Sequence, residues 1–193
     1  MNSYYVSGTP FSWKVWLSLE QEEFRYNHKI LRVDAGDLQA SRLLAVNPRG
    51  KSPAIVHDGF KLYESPAIIE YLEDDFPGSG KPLWPRNKHK RAIGRRMANE
   101  AENYLYPQVR RMVDELLLRQ DGSLDNNVIA EAKETIKLNL DMFSHNLNGN
   151  FLLGDQSSVA DFTLYPLTVM ILRLSARCPD YGLSSIIPAS ITN

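Results

Sequence analysis

The chain has one cysteine, Cys178. A lone sulfur excludes an internal disulfide framework and every all-cysteine metal site, and it suits a reducing compartment. No GxGxxG follows a strand and no GxxxxGK[ST] occurs, so nucleotide folds of those kinds have no support. His28, His57, His89 and His145 show no HExxH or other ligand spacing. They read as packing or surface histidines, and no metal is expected. Charge of neither sign dominates: 22 Lys and Arg face 23 Asp and Glu, for a net charge of -1. Neither nucleic acid nor an anionic membrane is therefore an expected partner. No apolar run reaches the roughly 18 residues of a membrane span, and MNSYYVSGTP lacks the basic start of a signal peptide. A cytoplasmic protein is the expectation.

What the 193 residues do contain divides in two. Residues 1–76 alternate strand-like and helical runs, 77–85 read as a linker rich in proline and glycine, and 86–193 read as helical. In the first part, SYYV is a strand candidate, and a helix follows with Ser12 as its N-cap. YNHKILRV is a second strand, and 35–47 is weakly helical. PAIV and FKLY flank Asp58-Gly59, a strong hairpin signal. Ser65 at the N-cap and Pro66 at the first helical position open another helix. The order βαβαββα predicts an α/β layer with a mixed sheet.

In the second part, 87–118 predicts one long helix bent at Pro107. Ile129, Ala132, Ile136, Leu140, Phe143 and Leu147 mark an amphipathic helix over 126–147. Ser158 and Asp161 form a variant capping box for a central apolar helix over 158–175. The residues beyond predict a short turn and then a loose tail. The basic run Arg86, Lys88, Lys90, Arg91, Arg95 and Arg96 reads as a solvated face or an ion-pair rim.

Three short segments carry potential chemistry. Gly8-Thr9-Pro10-Phe11-Ser12 is a strand-to-helix turn, and a helix N-terminus with hydroxyls nearby favours an anion such as a thiolate. Lys51-Ser52-Pro53 places a proline at a strand entry, where a cis bond would open the Ser52 backbone to a ligand. Glu64-Ser65 sets a negative side chain beside donor-rich backbone, a pairing suited to a ligand's ammonium and carboxylate. Singly, each reads as a cap or turn. A βαβαββα unit would gather all three at one edge of its sheet.

PFSWKV at 10–15, NPRGKSPAIVHDG at 47–59, LYESPAIIEYLED at 62–74 and FLLGDQSSVADFTLYP at 151–166 follow one another in an order and spacing that resemble the soluble glutathione S-transferases. The wording suggests a serine-type class, of the zeta, tau or theta kind. The resemblance implies a thioredoxin-like N-terminal domain, an all-helical C-terminal domain, a homodimer and glutathione as co-substrate. Pro53 then matches the cis-proline, and Ser52 the residue whose main chain meets the cysteinyl backbone. Glu64 and Ser65 match the γ-glutamyl clamp, and Lys51 and Gln39 fall where relatives reach the glycine carboxylate. Ser158 and Asp161 match a capping box that serves folding.

The residue that activates sulfur in serine-type relatives corresponds to Thr9, with Ser12 and then Ser7 as alternates. Threonine keeps a hydroxyl donor, but its methyl restricts the rotamer, and covalent thiol chemistry is lost. Val6 lies near the tyrosine-type position, and Tyr5 is one place off, on the other face of the strand. The expected reaction is attack of the glutathione thiolate on a small apolar electrophile. Its pocket is expected between the domains, near Phe11, Tyr104, Arg110, Arg111 and Met112. The stretch after Ser175 is short against relatives, so the substrate site or the dimer is expected to differ there. Isomerase, ether-cleaving or dehalogenating chemistry on the same scaffold is one alternative, and a non-catalytic interaction module is another.

Overall fold

The computed structural model describes residues 1–76, 80–119, 123–147 and 149–192, the last without its side chain. The chain divides into two units, Met1–Arg86 and Asn87–Asn193.

The first unit runs β1 (Asn2–Val6), α1 (Pro10–Gln21), β2 (Asn27–Leu31), a 3-10 turn (Asp37–Gln39), α2 (Ser41–Leu44), β3 (Ala54–His57), β4 (Phe60–Tyr63) and α3 (Ser65–Asp75). The strands lie in the order β2-β1-β3-β4, with β1 parallel to β2 and antiparallel to β3, and β3 antiparallel to β4. The hairpin forms at Asp58-Gly59, where both residues have positive φ (48° and 87°). That geometry suits a two-residue turn between twisted strands, and glycine adopts it without a Cβ penalty. Val6, Leu31 and Ala54 face Leu43 of α2 in one apolar layer. Residues that alternate with them, such as Tyr5 and Ile55, turn to the opposite face and are also buried.

Three details depart from expectation. The first helix opens at Pro10, so Thr9 rather than Ser12 is its N-cap. The third opens at Ser65, one residue early, with Glu64 as its N-cap. Within 77–85, residues 77–79 lie outside the described residues, and 81–84 pack onto the first unit. Leu83 is fully buried, its amide donates to Glu73 at 2.8 Å, and Trp84 Nε1 donates to Glu70 at 3.1 Å. Two apolar side chains among prolines suffice to anchor a stretch that its composition marks as a connector.

Beside β1, α1 and β2 share an aromatic cluster. His28 lies 5.0 Å from the Tyr5 ring, 4.7 Å from Tyr26 and 5.8 Å from Trp16. The Trp16 Nε1 donates to Glu20 at 2.9 Å, and the Tyr26 hydroxyl donates to the same carboxylate. The Tyr26 and Trp16 hydrogen bonds hold the Glu20 carboxyl below its usual range. Burial pushes His28 down, and burial together with Glu20 pushes the Tyr26 hydroxyl up to about 12.

The second unit holds α4 (Lys88–Glu100), a wide π turn (Ala101–Leu105), α5 (Tyr106–Val113), a second π turn (Asp114–Leu118), α6 (Asn126–Asn146), α7 (Val159–Arg177), two 3-10 turns and α8 (Ala189–Thr192). Helical backbone thus runs unbroken from 88 to 118, past Pro107. A π turn immediately ahead of the proline relaxes the ladder where the ring would clash and its N–H is missing. Ala101, Leu105, Val109 and Met112 from this rod pack against Ile136 and Leu140 of α6 and Leu164, Leu167 and Ile171 of α7. Among the described residues α7 alone is long and apolar enough to cross a membrane, by length and composition only. Most of its apolar side chains go into this core, with Tyr165 and Leu172 left exposed, and Pro166 is accommodated inside it.

The predicted loose tail is instead part of the packing. Leu183, Ile186 and Ile187 are buried in the helical core. Ser184 donates its amide to Ser175 at 3.1 Å, and Lys133 donates to the Tyr181 carbonyl at 2.7 Å. An apolar trio supplies the burial that its polar surroundings conceal.

At the start of α7, Asp161 Oδ2 accepts from the Ser158 amide at 2.8 Å and the Ser158 hydroxyl at 2.9 Å, and Oδ1 accepts from the Leu152 amide at 2.8 Å. The capping box thus also fastens the Phe151–Gly154 turn. Loss of a cap and of hydrogen bonds to a charged group gives the expected outcome for Asp161→Ala: a loss of about 2–3 kcal/mol in urea denaturation. A change under 0.5 kcal/mol would contradict this role. The aromatic cluster sets a pH dependence. His28 and Glu20 both bind protons more readily unfolded than folded, so stability falls as pH drops below about 6.5 and again below about 4.5. The first step should disappear in His28→Phe when thermal midpoints are compared at pH 7.5 and 5.5.

Candidate functional site

The sheet register brings the three segments together. Ala54 pairs with Tyr4 on one side and Tyr63 on the other. The turn after Val6, the Ser52-Pro53 bond before Ala54 and Glu64 after Tyr63 therefore share one end of the sheet. The Ser52-Pro53 bond is cis.

At the first segment, Pro10 starts α1 and the first bond of the helix is Trp13 N–H to Thr9 carbonyl, at 3.1 Å. The Ser12 amide lies ahead of that bond, at the positive end of the helix dipole. Thr9 is half-buried, and its hydroxyl donates to the Val6 carbonyl at 3.3 Å. Ser7 is exposed. Ser12 is 1% exposed; its Oγ accepts from the Val6 amide at 3.4 Å and lies 3.1 Å from Ser52 Oγ. Ser12 is thus neither the predicted cap nor an open donor. It is a buried link between β1, α1 and the cis-proline turn.

At the second segment, Asn47 is the residue the sequence reading missed. It is 2% exposed, its Nδ2 donates to the Lys51 carbonyl at 2.8 Å, and its Oδ1 accepts from the Arg49 amide at 3.0 Å. An asparagine before Pro48 is a turn signal in its own right, and here it shapes the loop that presents Lys51. Gly50 has φ +60°, and a Cβ there would lie 2.8 Å from the Leu38 carbonyl and 3.0 Å from Gln39 Nε2. The close approach sets the Gln39 amide beside the residue preceding Lys51. Both Gln39 and Lys51 are exposed. The turn bearing Gln39 is held by Asp37, which accepts from the Arg32 amide at 2.9 Å and pairs with Arg42. The Arg32 amide, ahead of Arg42, keeps the Asp37 carboxyl below its usual range.

At the third segment, Glu64 is exposed with φ 71° and ψ 111°, and its carbonyl accepts from Ile68 N–H at 3.0 Å. A non-glycine residue at positive φ costs about 1–3 kcal/mol, and such residues cluster at active sites and ligand clamps. Ser65, 4% exposed, opens α3 beside it.

The residues expected around a second substrate fall in both units. Phe11 is half-buried in the first turn of α1. In the helical unit, Arg110 pairs with Asp114 at 2.7 Å and Arg111 with Glu131 at 3.1 Å, so both arginines have exposed ion-pair partners. Tyr104 is exposed on the rod. Met112 is a correction: it is 1% exposed, three residues beyond Val109 on the inward face, and it belongs to the core. Among the described residues, no three His, Cys, Asp or Glu side chains cluster as a metal site would need.

The arrangement offers a helix start for an anionic sulfur, a cis-proline turn for an extended backbone, an acid and a helix start for an amino-acid end, and a lysine for a carboxylate. Residues 4–80 match the model of the glutathione S-transferase N-terminal domain, and 100–188 that of the C-terminal domain. A probable maleylacetoacetate isomerase of Caenorhabditis elegans is 29% identical over 88% of this chain and 78% of its own length. Protein LigF of Sphingobium is 55% identical over 24% of this chain and 18% of its own. The crystal structure of a glutathione S-transferase from the Antarctic clam Laternula elliptica superposes with a TM-score of 0.80 at 28% identity, covering 89% of this chain and 78% of that one. With both domain models matched in order along the sequence, the chain belongs to the glutathione S-transferase family.

Proposed function

We propose that the protein is a glutathione-dependent enzyme whose main activity is conjugation of the glutathione thiolate to a small apolar electrophile. The convergence of Thr9, Ser52-Pro53 and Glu64-Ser65 at one end of the sheet, fixed by the pairing of Ala54 with Tyr4 and Tyr63, carries this reading. Glutathione would lie extended across that end. Glu64 and Ser65 hold its γ-glutamyl group, the Ser52 main chain meets its cysteinyl backbone, and Lys51 with Gln39 meets its glycine carboxylate. The sulfur then sits at the start of α1. There the helix dipole and a hydroxyl donor lower the thiol pKa, which raises the thiolate fraction while trimming its intrinsic nucleophilicity. Thr9 supplies that donor once its hydroxyl turns from the Val6 carbonyl to the sulfur.

A second reading rests on the relatives. One is named as a probable maleylacetoacetate isomerase, and LigF, named as a β-etherase, is 55% identical to this chain over a short segment. Isomerisation or ether cleavage uses the same thiolate and differs in the electrophile. A non-catalytic module has no use for a glutathione clamp, and the clamp residues are all present. We place the protein in the cytoplasm as a homodimer.

Thr9→Val tests the sulfur donor. Glutathione affinity by calorimetry should change less than two-fold, while turnover with a model electrophile falls about 10- to 100-fold, the worth of one hydrogen bond to a charged group. Unchanged turnover would transfer the role to the backbone at the start of α1. Glu64→Ala keeps the same backbone demand but removes the acid, and should weaken glutathione binding at least about ten-fold. If wild-type protein binds no glutathione near neutral pH, the enzyme reading falls.

A further inference from the structure

Three hydroxyls meet where β1, the start of α1 and the turn ahead of Pro53 come together, and they differ in where their protons go. Thr9 Oγ1 donates to the Val6 carbonyl at 3.3 Å. Ser12, the third residue of α1, accepts from the Val6 amide at 3.4 Å, and its Oγ lies 3.1 Å from Ser52 Oγ. Distance leaves the direction of that last contact open; burial decides it. Ser12 is 1% exposed, so water does not reach its proton, and Ser52 Oγ is its one side-chain acceptor among the described residues. Were Ser52 the donor, Ser12 would carry a buried O–H with nothing to accept it, bearing the full desolvation cost of an unmade bond. The hydrogen bonds therefore run from the Val6 N–H to Ser12 and from the Ser12 O–H to Ser52, each link polarising the next. Ser52 is half-buried, and its own proton has no acceptor among the described residues. Of the three hydroxyls, it alone keeps a donor that the fold does not use.

We propose that the Ser52 side chain is a catalytic hydrogen-bond donor to the sulfur of bound glutathione, with Ser12 as the positioning residue that keeps its proton available. On the glutathione reading, on which this rests, the Ser52 main chain already faces the cysteinyl residue. Residues paired directly across extended backbones hold their Cβ atoms about 4.5–5.5 Å apart. The serine oxygen and the cysteinyl sulfur each stand one bond beyond such a Cβ, so the two reach hydrogen-bond contact. Ser52 lies beside the first turn of α1, where the helix dipole also favours a negative sulfur. Thr9 must leave the Val6 carbonyl before it can donate, whereas Ser52 donates without breaking a bond of the fold.

Thiolate absorbance of glutathione bound to the protein, titrated against pH, tests this alongside the pH profile of turnover with a model electrophile. Ser52→Ala should raise the pKa of the bound thiol, seen as about a ten-fold loss of thiolate at low pH. Turnover should fall about ten-fold there and rejoin the wild type at high pH, with the glutathione KM changed less than two-fold. A purely structural serine would lower turnover alike at every pH. Ser52→Thr and Ser52→Val, both suited to the extended backbone ahead of a proline, differ only in a hydroxyl against a methyl. The threonine should keep the wild-type profile and the valine should copy the alanine, which carries the test if the alanine variant is too unstable to assay. Ser12→Ala should shift the profile in the same direction by less. If wild-type protein binds glutathione and lowers its thiol pKa, yet the valine and threonine variants share one pH profile, the assignment is overturned while the glutathione reading stands. If wild-type protein binds no glutathione, both fall.

Discussion

Ala54 is the residue on which the first unit turns. It is fully buried, pairs with strands on both sides, and lies in the apolar layer beneath α2. Because side chains alternate along a strand, slipping this register by one residue would exchange Val6 and Ala54 with residues of the opposite face. The same slip would carry Ser52 away from Ser12 and misalign Glu64 with the cis-proline turn. Alignment of the proposed binding segments is therefore a by-product of core packing.

What does differ is the depth at which the residues work. Glu64, Lys51 and Gln39 are exposed, and Thr9 is half-buried. Beneath them lie Ser12, Asn47 and Ser65, each at most 4% exposed. Ser12 ties α1 to the cis-proline turn, and Asn47 shapes the loop before it. A site of exposed contacts keeps its geometry only when such buried neighbours lock the backbone that presents them.

The sequence made the hairpin, the α6 periodicity and the α7 capping box readable, because each follows from local chemistry. Asp58-Gly59 demands positive φ, and Ser158 and Asp161 need only a three-residue spacing. The clamp segments were readable as motifs, but their convergence depends on strand pairing, which no single motif states. Ser12 was misread because a serine near a helix start carries the same local signal whether it caps or bonds across the fold. Met112 lies three residues after Val109 and seven after Leu105, a spacing that marks the inward face; the neighbouring arginines drew attention outward. The tail was misread because Ile186 and Ile187 are two apolar residues within a polar stretch, too few for a period.

Glu64 occupies a backbone conformation that glycine reaches without cost and other residues do not. Selection for stability alone would favour glycine there, at the expense of the carboxylate. Under the proposed clamp role, a carboxylate kept in that position makes the residue a record of compromise: folding and recognition pull on one dihedral in opposite directions. Directed evolution toward a hardier protein would meet that trade-off first at the mouth of α3, before touching the hydrophobic interior.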